Sequence, residues 1–215
     1  MVLQPKMFEI FKEYLEWNRI MNLNSVAEFN KACLNNQSFN LIKIAEALHE
    51  KKVASISDMI QQRPKVKVVL ISGPSSSGKT TFSKRLSIQL MVSGIKPKTI
   101  SLDNYFVDRE HTPRDENGDW DFESLDALDL TFLNQQIKQL MNGEEIDLPF
   151  YSFEDGKRYF KGEKLKLNED TVLIMEGIHA LNPDLLPDIS SESTFKIYVS
   201  ALTTISIDEH NWIPT

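Results

Sequence analysis

The sequence predicts an α/β protein with a mostly parallel sheet, preceded by a small helical region. Three observations predict it. Short apolar runs recur at residues 66–71, 98–103, 171–175 and 195–199. Segments with helical spacing separate several of these runs, the pattern of strand–helix–strand units that bury a parallel sheet between helices. The first run leads straight into Gly-Pro-Ser-Ser-Ser-Gly-Lys-Thr at residues 73–80, which fits G-x-x-x-x-G-K-[ST] at every fixed position.

That motif has a mechanical meaning. Gly73 and Gly78 let the backbone curl so that successive N–H groups, through Ser75, Ser76, Ser77 and Thr81, point at phosphate oxygens. Lys79 supplies a point charge for the terminal phosphates, and Thr80 offers a hydroxyl to Mg²⁺. The following helix adds the positive end of its dipole. The context agrees. Val66, Val68, Val69, Leu70 and Ile71 suit a buried strand, Phe82, Leu86 and Leu90 recur at helical spacing, and Gly94 is a stop. The fold expected is therefore the three-layer α/β/α arrangement of a P-loop NTPase.

The remaining elements follow in order. Residues 1–63 read as helical. Met7, Phe11, Tyr14 and Leu15 share an apolar face, and Trp17 reads as core. Ser25 and Glu28 form a capping-box signal. Leu41, Ile44, Ala45, Leu48, Ile56, Met59 and Ile60 mark a long third helix closed before Pro64, with His49 as a surface or interface residue. Residues 64–215 form the second region. Residues 98–103 make a strand ending in Asp103. Residues 126–141 are helical, with Gly143 as the stop, and residues 151–167 make short strands or a hairpin. Residues 171–175 make a strand ending in Glu176-Gly177, and residues 195–199 the last strand. Ligands of such sheets bind at the carboxyl ends of strands, where Gly73, Asp103 and Glu176 all fall.

Composition narrows the class. The 215 residues are 41% hydrophobic and 26% charged, with formal net charge −7, as expected of a soluble globular protein. Residues 103–170 are rich in Asp and Glu without a basic cluster, which argues against nucleic acid as a partner. No apolar run is long enough to span a membrane, and no signal-peptide pattern opens the chain. The single cysteine, Cys33, excludes an intrachain disulfide and reads as a structural thiol; the compartment expected is the cytoplasm.

Phosphoryl transfer needs positioning, a metal and a group that takes the proton of the attacking hydroxyl. Asp103 is placed to be that base, to hold Mg²⁺ through water, or to cap the following turn. Glu176 closes a buried strand, where a carboxylate needs a metal or a pairing partner. Residues 119–126 and 151–158 mix acids with aromatics. They read equally as a sugar-and-base site or as surface turns. His179 reads equally as structural or catalytic, while His111 and His210 lack metal-ligand spacing.

Taken together, residues 73–81, 101–106, Asp121-Phe122, Asp126-Ala127, residues 151–153 and residues 176–179 resemble the uridine kinase and phosphoribulokinase family of P-loop kinases. The resemblance covers about residues 65–214 and is closest to the bacterial uridine kinase-like branch. It implies ATP and Mg²⁺ as cofactors and a nucleoside-like small molecule, uridine or cytidine in type, as acceptor. It implies Asp103 as catalytic acid, with Lys79 and Glu176 beside it and Thr80, Asp103 and Glu176 around the metal. Tyr105, Phe122, Tyr151, Arg158 and His179 would lie near the acceptor. Ser124-Leu125 stands where the family usually has His-Pro, and residues 152–157 lack the family's histidine. The arginine-rich lid expected after residues 208–211 is missing, so the chain reads as truncated at its C-terminus. Three readings stay open: a nucleoside kinase, a nucleotide-binding module with little catalysis, and a kinase for a sugar phosphate or pantothenate-like acceptor. A homo-oligomer is compatible with all three.

Overall fold

The computed structural model describes residues 5–200 and Ser206. It divides into two compact units. One runs through Val53 and includes Ser206; the other is Ala54–Ser200.

The first unit is helical. It contains α1 (Pro5–Met21), α2 (Val26–Leu34) and the start of α3 (Ser38–Gln61). The capping box forms as the spacing predicts. Ser25 Oγ accepts from Glu28 N at 3.3 Å, and Glu28 Oε2 accepts from Ser25 N at 3.2 Å. Lys52 on α3 pairs with Glu13 on α1 at 2.7 Å. Trp17 is half-buried, edge-on to Tyr14, and Cys33 is exposed rather than packed. The side chains of Met7 and Phe11, and His210, lie outside the described residues.

The second unit carries β1 (Val68–Ser72), α4 (Lys79–Val92), β2 (Lys96–Ser101), α5 (Leu130–Met141), β3 (Ile146–Ser152), β4 (Lys157–Leu165), β5 (Thr171–Glu176) and β6 (Thr194–Tyr198). Four strands form a parallel sheet in the order β2-β5-β1-β6. The central strands β1 and β5 are buried at every position, as their unbroken apolar runs require. Alternate residues face opposite ways. Val68, Leu70, Leu173 and Met175 join Leu133, Ile137 and Leu140 of α5 in one core cluster. α4 packs against β1, β2 and β5. The result is the expected mostly parallel α/β/α arrangement.

Two boundaries differ from the spacing. The helix expected from residue 126 begins at Leu130, because Leu125–Ala127 turns as a separate 3₁₀ segment and Asp129 caps α5. The hairpin expected at residues 151–167 starts earlier, at Ile146, and β3 pairs antiparallel with β4 outside the main sheet.

Candidate active site

Register brings the chemistry together. Ile71 of β1 and Ser101 of β2 both stand level with Glu176 of β5. Gly73 and Asp103 each lie two residues beyond that level, so both loops leave the sheet around the Glu176 carboxylate. Ser72 Oγ donates to Ile178 O at 2.7 Å, and Gly177 N donates to Ile71 O at 3.1 Å. These bonds tie the β1 and β5 exits to each other.

The phosphate-loop sequence adopts the curl its glycines permit. Gly78 has φ 87°, and Ser76 also takes a left-handed φ of 59°. A Cβ on Gly73 would overlap the Val199 carbonyl oxygen. Lys79 Nζ donates to Gly73 O at 3.1 Å and Pro74 O at 2.8 Å, so the ammonium closes the loop on itself. The Ser77 hydroxyl is buried without a partner. Thr80 and Thr81 open α4, and Thr80 Oγ1 donates to Glu176 Oε1 at 3.3 Å. That pair joins a hydroxyl and a carboxylate across the mouth of the loop, oxygen donors of the kind Mg²⁺ takes.

Asp103 lies in a 3₁₀ turn, Leu102–Tyr105. Atoms packed about its carboxyl raise its pKa above the ordinary carboxylate range, the nearby Glu176 charge raises it further, and Lys79 opposes the rise. Glu176 and Lys79 therefore act on Asp103 in opposite senses. Asp103, Lys79 and Glu176 line a cavity of about 250 Å³ together with Ser75, Phe106, Phe122 and Phe153. The three phenylalanines form its aromatic wall. Phe106 meets Phe122 edge-on at 5.4 Å and Phe153 at 5.8 Å.

The other residues expected near the acceptor are distributed differently. Tyr105 is fully buried in the core, where its hydroxyl donates to Gln136 Oε1 at 2.8 Å and burial pushes its pKa far up. With three residues per turn, a 3₁₀ segment sends residues two apart to different sides, so Asp103 faces the cavity and Tyr105 does not. Tyr151 packs behind the wall against Phe106 and Phe153, its hydroxyl buried without a partner. Arg158, opposite Tyr151 in the hairpin, pairs with Asp129 at 2.7 Å. His179 is half-buried, with Nε2 unpartnered. Neither Arg158 nor His179 lines the cavity.

Of the acids at residues 115–124 and 155, Asp115, Asp121 and Asp155 serve turns, whereas Glu123 lines the cavity. Asp121 Oδ1 accepts from Glu123 N and Ser124 N, each at 3.0 Å, and Asp155 accepts from Ser152 Oγ. Their aromatic neighbours Phe122 and Phe153 enter the cavity wall instead. Among the described residues no group of three or more His, Cys, Asp or Glu gathers as a metal cage. Sequence reasoning named neither Phe106 nor Asp129 as a site residue, and it reached Phe153 only within the acid-and-aromatic segment 151–158. The signal for Asp129 was present, as an acid preceding the apolar helical run at capping distance from Phe132. For the two phenylalanines only packing distinguishes a wall residue from a core one.

A family model described as the phosphoribulokinase / uridine kinase family matches residues 68–210. Among curated relatives, a uridine kinase of Ligilactobacillus salivarius is 30% identical over 149 residues, 69% of this chain and 67% of the relative. A uridine kinase of Schizosaccharomyces pombe is 33% identical over 136 residues, 61% of this chain and 28% of the relative. The chain thus spans about a quarter of one relative and two thirds of the other. Among solved structures, a possible uridine kinase from Bacillus stearothermophilus superposes with a TM-score of 0.51 at 26% identity. The match covers 62% of this chain and 70% of that one.

Proposed function

This chain belongs to the phosphoribulokinase and uridine kinase family, and on that premise we propose that it is an ATP-dependent kinase that phosphorylates a hydroxyl of a nucleoside-like small molecule. The observation that carries the proposal is the convergence of Lys79, Asp103 and Glu176 on one cavity with an aromatic wall. The aromatic wall suits a flat base, and Asp103 suits the hydroxyl that attacks.

Each residue then has a part. The backbone of residues 73–81 holds the ATP phosphates, and Lys79 turns from the Gly73 and Pro74 carbonyls toward their charge. Thr80 and Glu176 would hold Mg²⁺, with Asp103 beside them. Bound there, Mg²⁺ would supply positive charge against the transferred phosphoryl group. Asp103 accepts the proton of the acceptor hydroxyl, a role for which a raised pKa makes it a better base. Phe106, Phe122 and Phe153 orient the acceptor and exclude water.

Arginine placement supports an uncharged acceptor over a sugar phosphate. Arg109 donates to Phe153 O, Arg114 stacks on Trp120 and donates to Gly118 O, and Arg158 pairs with Asp129. Each guanidinium thus already has a partner, and none of the three lines the cavity.

The test is ADP formation with Mg²⁺-ATP and uridine, cytidine, ribulose 5-phosphate, pantothenate or no acceptor, with Lys79→Ala as control. Turnover that requires a nucleoside and disappears in the control is expected. Turnover with ribulose 5-phosphate or pantothenate alone would reassign the acceptor. ATP binding without turnover would identify a nucleotide-binding module instead.

A further inference from the structure

Phe153 closes one side of the cavity, and it lies in the tip of the β3–β4 hairpin, between Ser152 and Lys157. Whatever holds that tip holds the wall. Within the hairpin the tip is tied by Gly156 N donating to Ser152 O at 2.7 Å and Ser152 Oγ donating to Asp155 Oδ2 at 2.8 Å. The connection to the rest of the unit comes from the segment that follows Phe106. Arg109 N donates to Gly156 O at 2.8 Å, and Arg109 Nη2 donates to Phe153 O. Asp108 Oδ1 accepts from Arg158 N at 3.2 Å. Gly156 has φ 68°, and a Cβ there would stand 2.7 Å from Arg109 Cβ and Nε and 2.8 Å from Cζ. The Arg109 side chain therefore lies in the space that only a glycine leaves open. The Arg109 charge also opposes the rise in pKa that burial imposes on the Tyr151 hydroxyl, which packs behind Phe153.

We infer that Arg109 is a positioning residue: with Gly156 it forms a latch that fixes the hairpin tip and so sets the Phe153 wall above Asp103. It does not line the cavity. Its effect therefore falls on acceptor binding and leaves nucleotide binding alone. The functional half of this inference rests on the kinase reading above, and the structural half does not.

The experiment pairs hydrogen exchange at the amides of residues 153–157 with kinetics of the full chain, nucleotide binding serving as the check on folding. Arg109→Ala should speed exchange at the tip and raise the acceptor KM about tenfold, the loss of a charge-assisted hydrogen bond, while ATP KM stays unchanged. Arg109→Lys, which keeps a donor for Phe153 O, should recover much of that loss. Gly156→Asn tolerates a positive φ and so isolates the clash with Arg109. It should loosen the tip when Arg109 is present and add nothing in an Arg109→Gly background, which removes all three close atoms. Unchanged exchange in Arg109→Ala, or equal effects of Gly156→Asn in both backgrounds, would overturn the latch. A wild-type chain that phosphorylates no acceptor would overturn the kinase reading. Exchange and the double-mutant comparison would still decide the latch.

Discussion

At Asp103 the fold and the proposed chemistry make opposite demands. Burial and the Glu176 charge favour the neutral acid, whereas the proton abstraction proposed for it needs the carboxylate. The folded pKa lies above the unfolded one, so the stability this group contributes is fully present below about pH 3.9 and is lost as pH rises through the folded value. In the metal-free protein, Asp103→Asn should therefore melt higher than wild type at pH 7. The difference should close as pH falls below the ordinary carboxylate range, as thermal melts at several pH values would show. The same variant should lose transfer by about 10²–10⁴-fold while ATP binding persists; unchanged turnover would exclude Asp103 as the base. Gly73 makes a second prediction at this scale. Its hypothetical Cβ meets a backbone carbonyl, which cannot swing aside as a side chain can. Gly73→Ala should cost about 1–3 kcal/mol, read as a lower urea midpoint at unchanged slope.

At the scale of the element, α5 shows what a helix start does beyond starting a helix. Asp129 Oδ1 accepts from Phe132 N at 3.0 Å, and its other oxygen pairs with Arg158 on β4. Its backbone N donates to Tyr105 O at 2.9 Å. One residue thus joins the Asp103 turn, α5 and the hairpin. Asp129→Asn keeps the cap and loses the ion pair, whereas Asp129→Ala loses both. The alanine variant should be the less stable of the two by about 1 kcal/mol, measured by urea denaturation. The helical period was legible from Leu128 onward, but the start was not. Asp126 and Asp129 are both plausible caps on spacing. Only the 3₁₀ turn at Leu125–Ala127, itself capped by Ser124, selects the second.

For the whole molecule, ligand linkage gives the simplest reading. Mg²⁺-ATP that binds only the folded chain at 100 times its Kd should stabilise it by about 2.7 kcal/mol, seen as a higher melting temperature. Lys79→Ala should lose most of that shift. If the variant keeps it, the phosphate loop is not where ATP binds.

The sheet, its parallel sense and the phosphate loop were determined by the sequence itself. Unbroken apolar runs such as residues 171–175 have few places to go except between two layers of helices, and G-x-x-x-x-G-K-T encodes its own backbone curl. Strand-end position likewise put Gly73, Asp103 and Glu176 at one edge of the sheet. Tertiary structure alone decided which neighbours face that edge. Tyr105 and Phe106 are adjacent, both aromatic and both buried in one core cluster, yet only the second also lines the cavity. Arg109, Arg114 and Arg158 look alike as candidate anion ligands until their partners are seen. The physical reason is range. Strand pattern and loop curl are set by residues within one turn or one pleat of each other. The direction of a side chain beyond a strand end is set by contacts with segments tens of residues away, which no local spacing records.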